Sequence, residues 1–222
     1  MNPRANIGAL ILLIAVSIGH GQSQDCWIDP RCTSLPFSTV SPLATLGDGR
    51  LLRIEGNAIR TSKDDGKTWS PPQKIYEGPA PGIPCESCVL VRTQVGTLVL
   101  VYMDMSTYKW AWDAAKGEAA ADVRLDVWSI RSRDDGKTWT DRQKLLDGYC
   151  GALIDMIQTK SGRIVVPIQR LLRDRTRHAT RPYVSADEGK TWRCGNVLDL
   201  GGYGDHDGAM EATLAWATFA AR

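Results

Sequence analysis

The chain has 222 residues, 27 Lys and Arg against 25 Asp and Glu, a formal net charge of +2 and 43% hydrophobic residues. That is an ordinary globular profile, and its near-neutrality leaves no electrostatic case for a nucleic-acid partner.

The first residues read as a targeting segment. Arg4 supplies a positive start, Ile7 to Ile18 is a continuous apolar run, and Gly19-His20-Gly21 offers small residues for cleavage. Residues 1–21 are therefore expected to be a signal peptide, with a mature start near Gln22. The apolar run of about 12 residues falls short of the ~20 that span a bilayer. No later segment is long enough, so the expectation is a secreted or periplasmic protein with no membrane span after signal removal. Six cysteines (Cys26, Cys32, Cys85, Cys88, Cys150 and Cys194) suit an oxidising compartment. Cys26–Cys32 is the most local pairing, within an N-terminal segment taken as 22–38. Cys85-Glu-Ser-Cys88 could be a redox motif or half a zinc site. There is no second C-x-x-C, which favours structural cysteines, and no metal or cofactor is expected.

From residue 39 the chain repeats itself. Ser62-Lys-Asp64-Asp-Gly66-Lys-Thr68-Trp69, Ser132-Arg-Asp134-Asp-Gly136-Lys-Thr138-Trp139 and Ser185-Ala-Asp187-Glu-Gly189-Lys-Thr191-Trp192 all read S-x-D-x-G-x-T-W. Self-similarity of this kind marks a repeat architecture. The Asp can accept backbone N–H groups a few residues on, the Gly can take positive φ, and the Thr and Trp suit the start of a strand. The octapeptide thus describes a hairpin turn, and one carboxylate per turn is too few oxygens for calcium. Upstream of each lie two apolar runs separated by a turn glycine: Gly49, Gly96 and Gly162. A short run such as Arg142–Leu146 follows the Trp. Four antiparallel strands per unit describe a propeller blade.

From turn glycine to octapeptide serine the distances are 13, 36 and 23 residues. The variable part lies between the second and third strands, which predicts insertions at roughly Asp104–Arg124 and Gln169–Thr180. In a meander these loops share one face with the links between blades, and the octapeptides lie on the other. Function is expected on the variable loops. The first insertion carries Tyr108, Trp110, Trp112, Asp113 and Asp122, aromatics beside carboxylates that suit sugar binding as well as an internal plug. The second carries Arg170, Arg173, Arg175, Arg177, His178 and Arg181, of which Arg170 is the best placed to fork onto a carboxylate. Glu86 and Glu211 each precede a would-be inner strand near the propeller axis. Asp205-His206-Asp207 is read against metal binding, because neighbours on an extended chain point to opposite sides.

The three octapeptides resemble the Asp boxes, or bacterial neuraminidase repeats, of sialidase-like β-propellers. The resemblance implies an all-β fold, six-bladed in the family, with about three and a half blades here over 39–214. It implies an exo-α-sialidase-type glycoside hydrolase cleaving terminal sugars from glycoconjugates. A non-catalytic sugar-binding or structural propeller is the alternative. The family uses a tyrosine nucleophile, a glutamate that activates it, an aspartate acid/base and arginines on the substrate carboxylate. By resemblance, Gly208-Ala-Met-Glu211-Ala-Thr-Leu214 carries the glutamate and Asp122 or Asp113 is the acid/base, with Glu86, Arg170, Trp110 and Trp112 binding substrate. The usual Arg-Ile-Pro before an inner strand is here Gly82-Ile83-Pro84, without the arginine. A fourth turn glycine is expected at 215–219, where the sequence reads Ala-Trp-Ala-Thr-Phe. Residues 215–222 are accordingly expected to be an aberrant tail.

Overall fold

The computed structural model describes residues 29–32, 41–76, 88–174, 176–204 and 206–215. The chain divides into two units, Met1–Ser34 and Leu35–Arg222. In the first, the carboxylate of Asp29 accepts from the backbone N–H and the guanidinium of Arg31, and Cys32 is an exposed free thiol. The signal-peptide assignment, Cys26, Cys85, Glu86 and residues 216–222 of the tail fall outside the described residues.

The second unit is all-β among the described residues. Blade one is β1 (Leu43–Thr45), β2 (Leu51–Glu55), β3 (Ala58–Ser62) and β4 (Gln73–Lys74), paired in that order. Blade two is β5 (Cys88–Arg92), β6 (Leu98–Lys109), β9 (Arg124–Ser132) and β10 (Thr140–Leu146), with a small hairpin, β7 (Trp112–Asp113) and β8 (Glu118–Ala119), inserted between β6 and β9. Blade three is β11 (Cys150–Ala152) and β12 (Ile157–Gln158), both paired to β13 (Ile164–Leu172), followed by β14 (Arg177–Ser185) and β15 (Arg193–Cys194). All these pairings are antiparallel.

The apolar run of β6 shows why the sheets stack. Leu98, Leu100 and Tyr102 pack with Leu52, Ile54 and Ile59 of blade one. Val99, Val101 and Met103, which alternate with them, pack with Ile164, Val166 and Ile168 of blade three. A strand covered on both faces needs apolar residues at every position, and Leu98–Val101 are fully buried. Fully burying each such side chain contributes roughly 1.5–3 kcal/mol.

The Asp boxes are the turns that the sequence describes. In each, the Ser hydroxyl accepts the Gly N–H at 2.9 Å. The Asp carboxylate accepts both the N–H and the hydroxyl of the Thr, at 2.8–2.9 and 2.6 Å. Gly66, Gly136 and Gly189 take φ of 86°, 85° and 75°. Asp65, Asp135 and Glu188, just before them, are also left-handed. The turn thus strains a non-glycine residue as well, a feature the motif does not announce. A Cβ on Gly136 would sit 2.8 Å from Ile59 of blade one, and one on Gly189 would sit 2.9 Å from Val99 of blade two. Each of these boxes therefore also seats its blade on the preceding one.

Three expectations need correction. Residues 104–109 are strand, not inserted loop: β6 continues to Lys109, and Asp104 pairs with Asp126. Residues 169–172 and 177–180 are likewise paired, Gln169 with Thr180 and Leu172 with Arg177. The apolar alternation lapses at these positions, but Gln169, His178 and Thr180 are themselves buried. The ladder continues because buried backbone groups require partners. Finally, no strand forms over 212–215 after Glu211. Residues 195–204 and 206–215 instead form a strap along blade three, bridged at Thr180–Leu198 and His178–Gly208. Gly201, Gly202, Gly204 and Gly208 all take positive φ there. The described architecture is three blades and this strap.

Candidate active site

At the end of the strands away from the Asp boxes, β6 delivers Tyr108 and leads to Trp110. The short link between blades two and three supplies Tyr149, and β11 supplies Gly151. From blade three come Gln169 on β13 and His178 on β14, and the strap closes the remaining side with His206, Met210 and Glu211. Together they line a cavity of about 410 Å³, within the ~300–1,000 Å³ usual for small-ligand sites.

Local sequence explains the cavity's floor. A Cβ on Gly151 would lie 2.2 Å from Nε2 of Gln169 and 2.7 Å from Cε1 of His178, so only glycine leaves both side chains where they are. Gln169 Oε1 accepts the backbone N–H of Glu211 at 2.7 Å, which holds Glu211 at a left-handed φ of 48°. The strap is laced to β14. The His178 N–H donates to Asp207 O, the Ala209 N–H to His178 O, and the Thr180 hydroxyl to Ala209 O. Asp155 accepts from the Thr213 hydroxyl and the Leu214 N–H. The Glu211 carboxylate is thus carried on a backbone tied down on both sides.

The opposite wall is aromatic. The Trp110 and Tyr149 rings lie 4.7 Å apart at 40°, Trp112 stacks on Trp110 at 6.4 Å and 21°, and Tyr149 faces His178 at 6.4 Å. Apolar ring faces beside a carboxylate and two imidazoles suit a sugar, whose C–H face stacks while its hydroxyls bond.

Of the residues singled out in the sequence, the structure brings Glu211 and Trp110 together and sets Trp112 behind Trp110. Asp113 is elsewhere: it accepts the N–H groups of Ala115 and Lys116 and pairs with the Lys116 ammonium at 3.3 Å, closing the β7–β8 hairpin. Those bonds, the Lys116 N–H foremost, hold its carboxyl below the usual range. Asp122 is ion-paired with Lys109, and that hydrogen bond lowers its pKa too. Both are stabilised as carboxylates, the wrong form for a general acid. Arg170 lines an adjoining cleft of about 300 Å³ with Asp147, Gly148 and Arg173, and Tyr149 forms the wall between the two. Glu86 lies outside the described residues. Tyr149, Gly151 and Gln169 were not foreseen. The rule that inter-blade links share the functional face could have found Tyr149, which sits on such a link, and pointed to Gly151 in the strand it opens.

A family model described as a BNR repeat-like domain matches residues 27–217. No curated protein matches the chain in sequence. Among solved structures, an alpha-L-arabinanase of Penicillium chrysogenum, complexed with arabinobiose, superposes with a TM-score of 0.51 at 19% identity, over 74% of this chain and 50% of that one. A protein of unknown function from Dyadobacter fermentans gives a TM-score of 0.50 at 19% identity, over 72% and 54%. The NanB sialidase of Streptococcus pneumoniae gives 0.43 at 14% identity, over 72% and 44%. The chain spans about half the length of these structures. The fold held in common is the propeller type found in glycoside hydrolases.

Proposed function

The chain belongs to the BNR repeat-like domain family, and from that membership we propose an exported glycoside hydrolase that removes terminal sugars from glycoconjugates in the cavity around Glu211. One observation carries the reading: Glu211 lines the same cavity as the Trp110–Tyr149 pair.

The chemistry follows the sialidase pattern better than a two-carboxylate one. Among the described lining residues Glu211 is the one carboxylate, which leaves the usual acid and base pair unfilled. Two phenols, Tyr108 and Tyr149, line the cavity with it. A phenol titrates near pH 10 and needs a neighbouring base to attack an anomeric carbon at neutral pH. Glu211 is assigned that role, and the imidazoles of His178 and His206 are the groups available to hand a proton to the leaving oxygen.

Replacing Glu211 by Gln tests this. Turnover of terminal glycosides should fall about 10²–10⁴-fold while sugar binding persists; unchanged turnover would refute the assignment. A second reading, a sugar-binding propeller without catalysis, is favoured by the engagement of Asp113 and Asp122 elsewhere. Wild-type protein that binds glycans but cleaves none decides for it. Export rests on residues 1–21, and the N-terminus of exported protein should lie near Gln22.

A further inference from the structure

We infer that the Glu211 cavity selects an uncharged terminal sugar and rejects sugars that carry a carboxylate. The inference rests on the proposed glycosidase site and narrows its substrate.

The reason is where the arginines go. An acidic sugar is recognised by guanidinium groups that fork onto its carboxylate. Among the described residues lining the cavity there is no Arg or Lys, although β13, β14 and the turn between them are rich in arginine. Arg173 spends its guanidinium on backbone carbonyls of Ala120, Ala121 and Val123. Arg177 forks onto Asp199 through Nε and Nη2, and Arg181 donates to Gly195 O at 2.9 Å. Across the gap, Arg124 is paired with Asp126 and Asp147. Arg170 lines the neighbouring cleft, not this one. Each of these cations is committed to holding the fold or faces another space.

Among its described lining residues, what the cavity does present is one carboxylate, that of Glu211. Gln169 holds the backbone N–H of Glu211 and so sets where this side chain leaves the strap. A substrate carboxylate entering beside it meets a like charge, with no Arg or Lys among the described lining residues to offset it, and such juxtapositions are strongly unfavourable. The rest of the lining consists of aromatic faces, an amide, imidazoles and a thioether, which match hydroxyls and C–H faces and make no demand for charge.

The test uses chromogenic glycosides at pH 7.5, above the ordinary imidazole range of ~6.5. The neutral probes are an α-L-arabinofuranoside and a β-D-galactopyranoside; the anionic probes are an N-acetylneuraminoside and a β-D-glucuronide. The full chain should process or bind at least one neutral probe about 100-fold better than either anionic one. In Glu211→Gln, measured by calorimetry, affinity for the anionic sugars should rise relative to the neutral ones, a shift that a merely structural role would not produce. An anionic probe preferred by the wild type overturns the inference and leaves the glycosidase reading standing. Failure of every probe to bind or react overturns both.

Discussion

The side-chain amide of Gln143, on the outer strand of blade two, donates to the carbonyl of Gly189 in the Asp box of blade three, at 3.1 Å, and to that of Lys190 at 2.9 Å. Gln73 of blade one makes the same pair of bonds to Gly136 and Lys137 of blade two, at 3.3 and 2.8 Å. Each glutamine stands four residues after the Trp of its own box. The box is therefore a joint as well as a turn. Gln143→Ala removes two neutral hydrogen bonds and should cost about 1–2 kcal/mol, read from denaturant midpoints; Gln143→Glu, which cannot donate, should not restore it.

The glycine within the joint should be more sensitive. Gly189→Ala forces a Cβ to 2.9 Å from Val99 at a φ of 75°. Strain and overlap together should cost roughly 2–4 kcal/mol. Gly49 has a similar φ of 86° and nothing within 4 Å, so Gly49→Ala should cost only the ~1–2 kcal/mol of backbone strain. Equal losses in the two variants would show that the close approach is unimportant.

The box carboxylates set an acid limit. Hydrogen bonds from the hydroxyl and N–H of Thr68, then from Ser62, lower the pKa of Asp64 from 3.8 to about 2. Burial pushes Asp134 and Asp187 upward, and the bonds from Thr138 and Thr191 outweigh it, leaving both below the usual value. A group whose pKa is lower folded than unfolded stabilises the fold above its unfolded pKa and loses that contribution as pH falls through the folded one. The boxes should therefore weaken between about pH 4 and pH 2, and Thr68→Val should move the acid unfolding limb, followed by circular dichroism, to higher pH. An unmoved limb would count against the box as its origin.

Two thiols should differ in reactivity. Cys150 is fully buried, and burial pushes its pKa up to about 12; Cys194 is exposed and free. An aromatic disulfide reagent at pH 8 should modify Cys194 at once and Cys150 only on unfolding, as thiolate availability requires. Mass mapping of the labelled peptides decides it. Rapid labelling of Cys150 in the native protein would contradict its placement.

Gly151→Ala probes the floor of the cavity. Its Cβ would collide with the ends of Gln169 and His178, side chains that can move, so stability should change little. Displaced Gln169 releases the Glu211 N–H, and sugar affinity should fall about tenfold or more. Wild-type affinity in this variant would separate Gln169 from the site.

Much of the architecture was legible because repetition is a strong signal. Three octapeptides placed three turns, and the glycines at 49, 96 and 162 all take positive φ. The site was only partly legible. Glu211 and Trp110 sit on the cavity, but Asp113 and Asp122 were singled out as carboxylates near aromatics. Sequence could not reveal that Lys116 and Lys109 had claimed them. Hairpin length was misread at Gln169 and Thr180 because polarity suggests a loop, whereas here polar groups are buried in a ladder. Gly151 escaped notice because its function is to have no side chain.

The β13–β14 hairpin pairs nine successive residues on each strand without a bulge. Gln169 and His178, which both reach the cavity, are set by that register. Adding one residue to each strand would turn every side chain beyond it to the other face of the sheet. The depth of this site can therefore change only in quantised steps of two residues per strand, about 7 Å at a time. Finer adjustment of what the cavity admits is left to the strap, whose glycines impose no such parity.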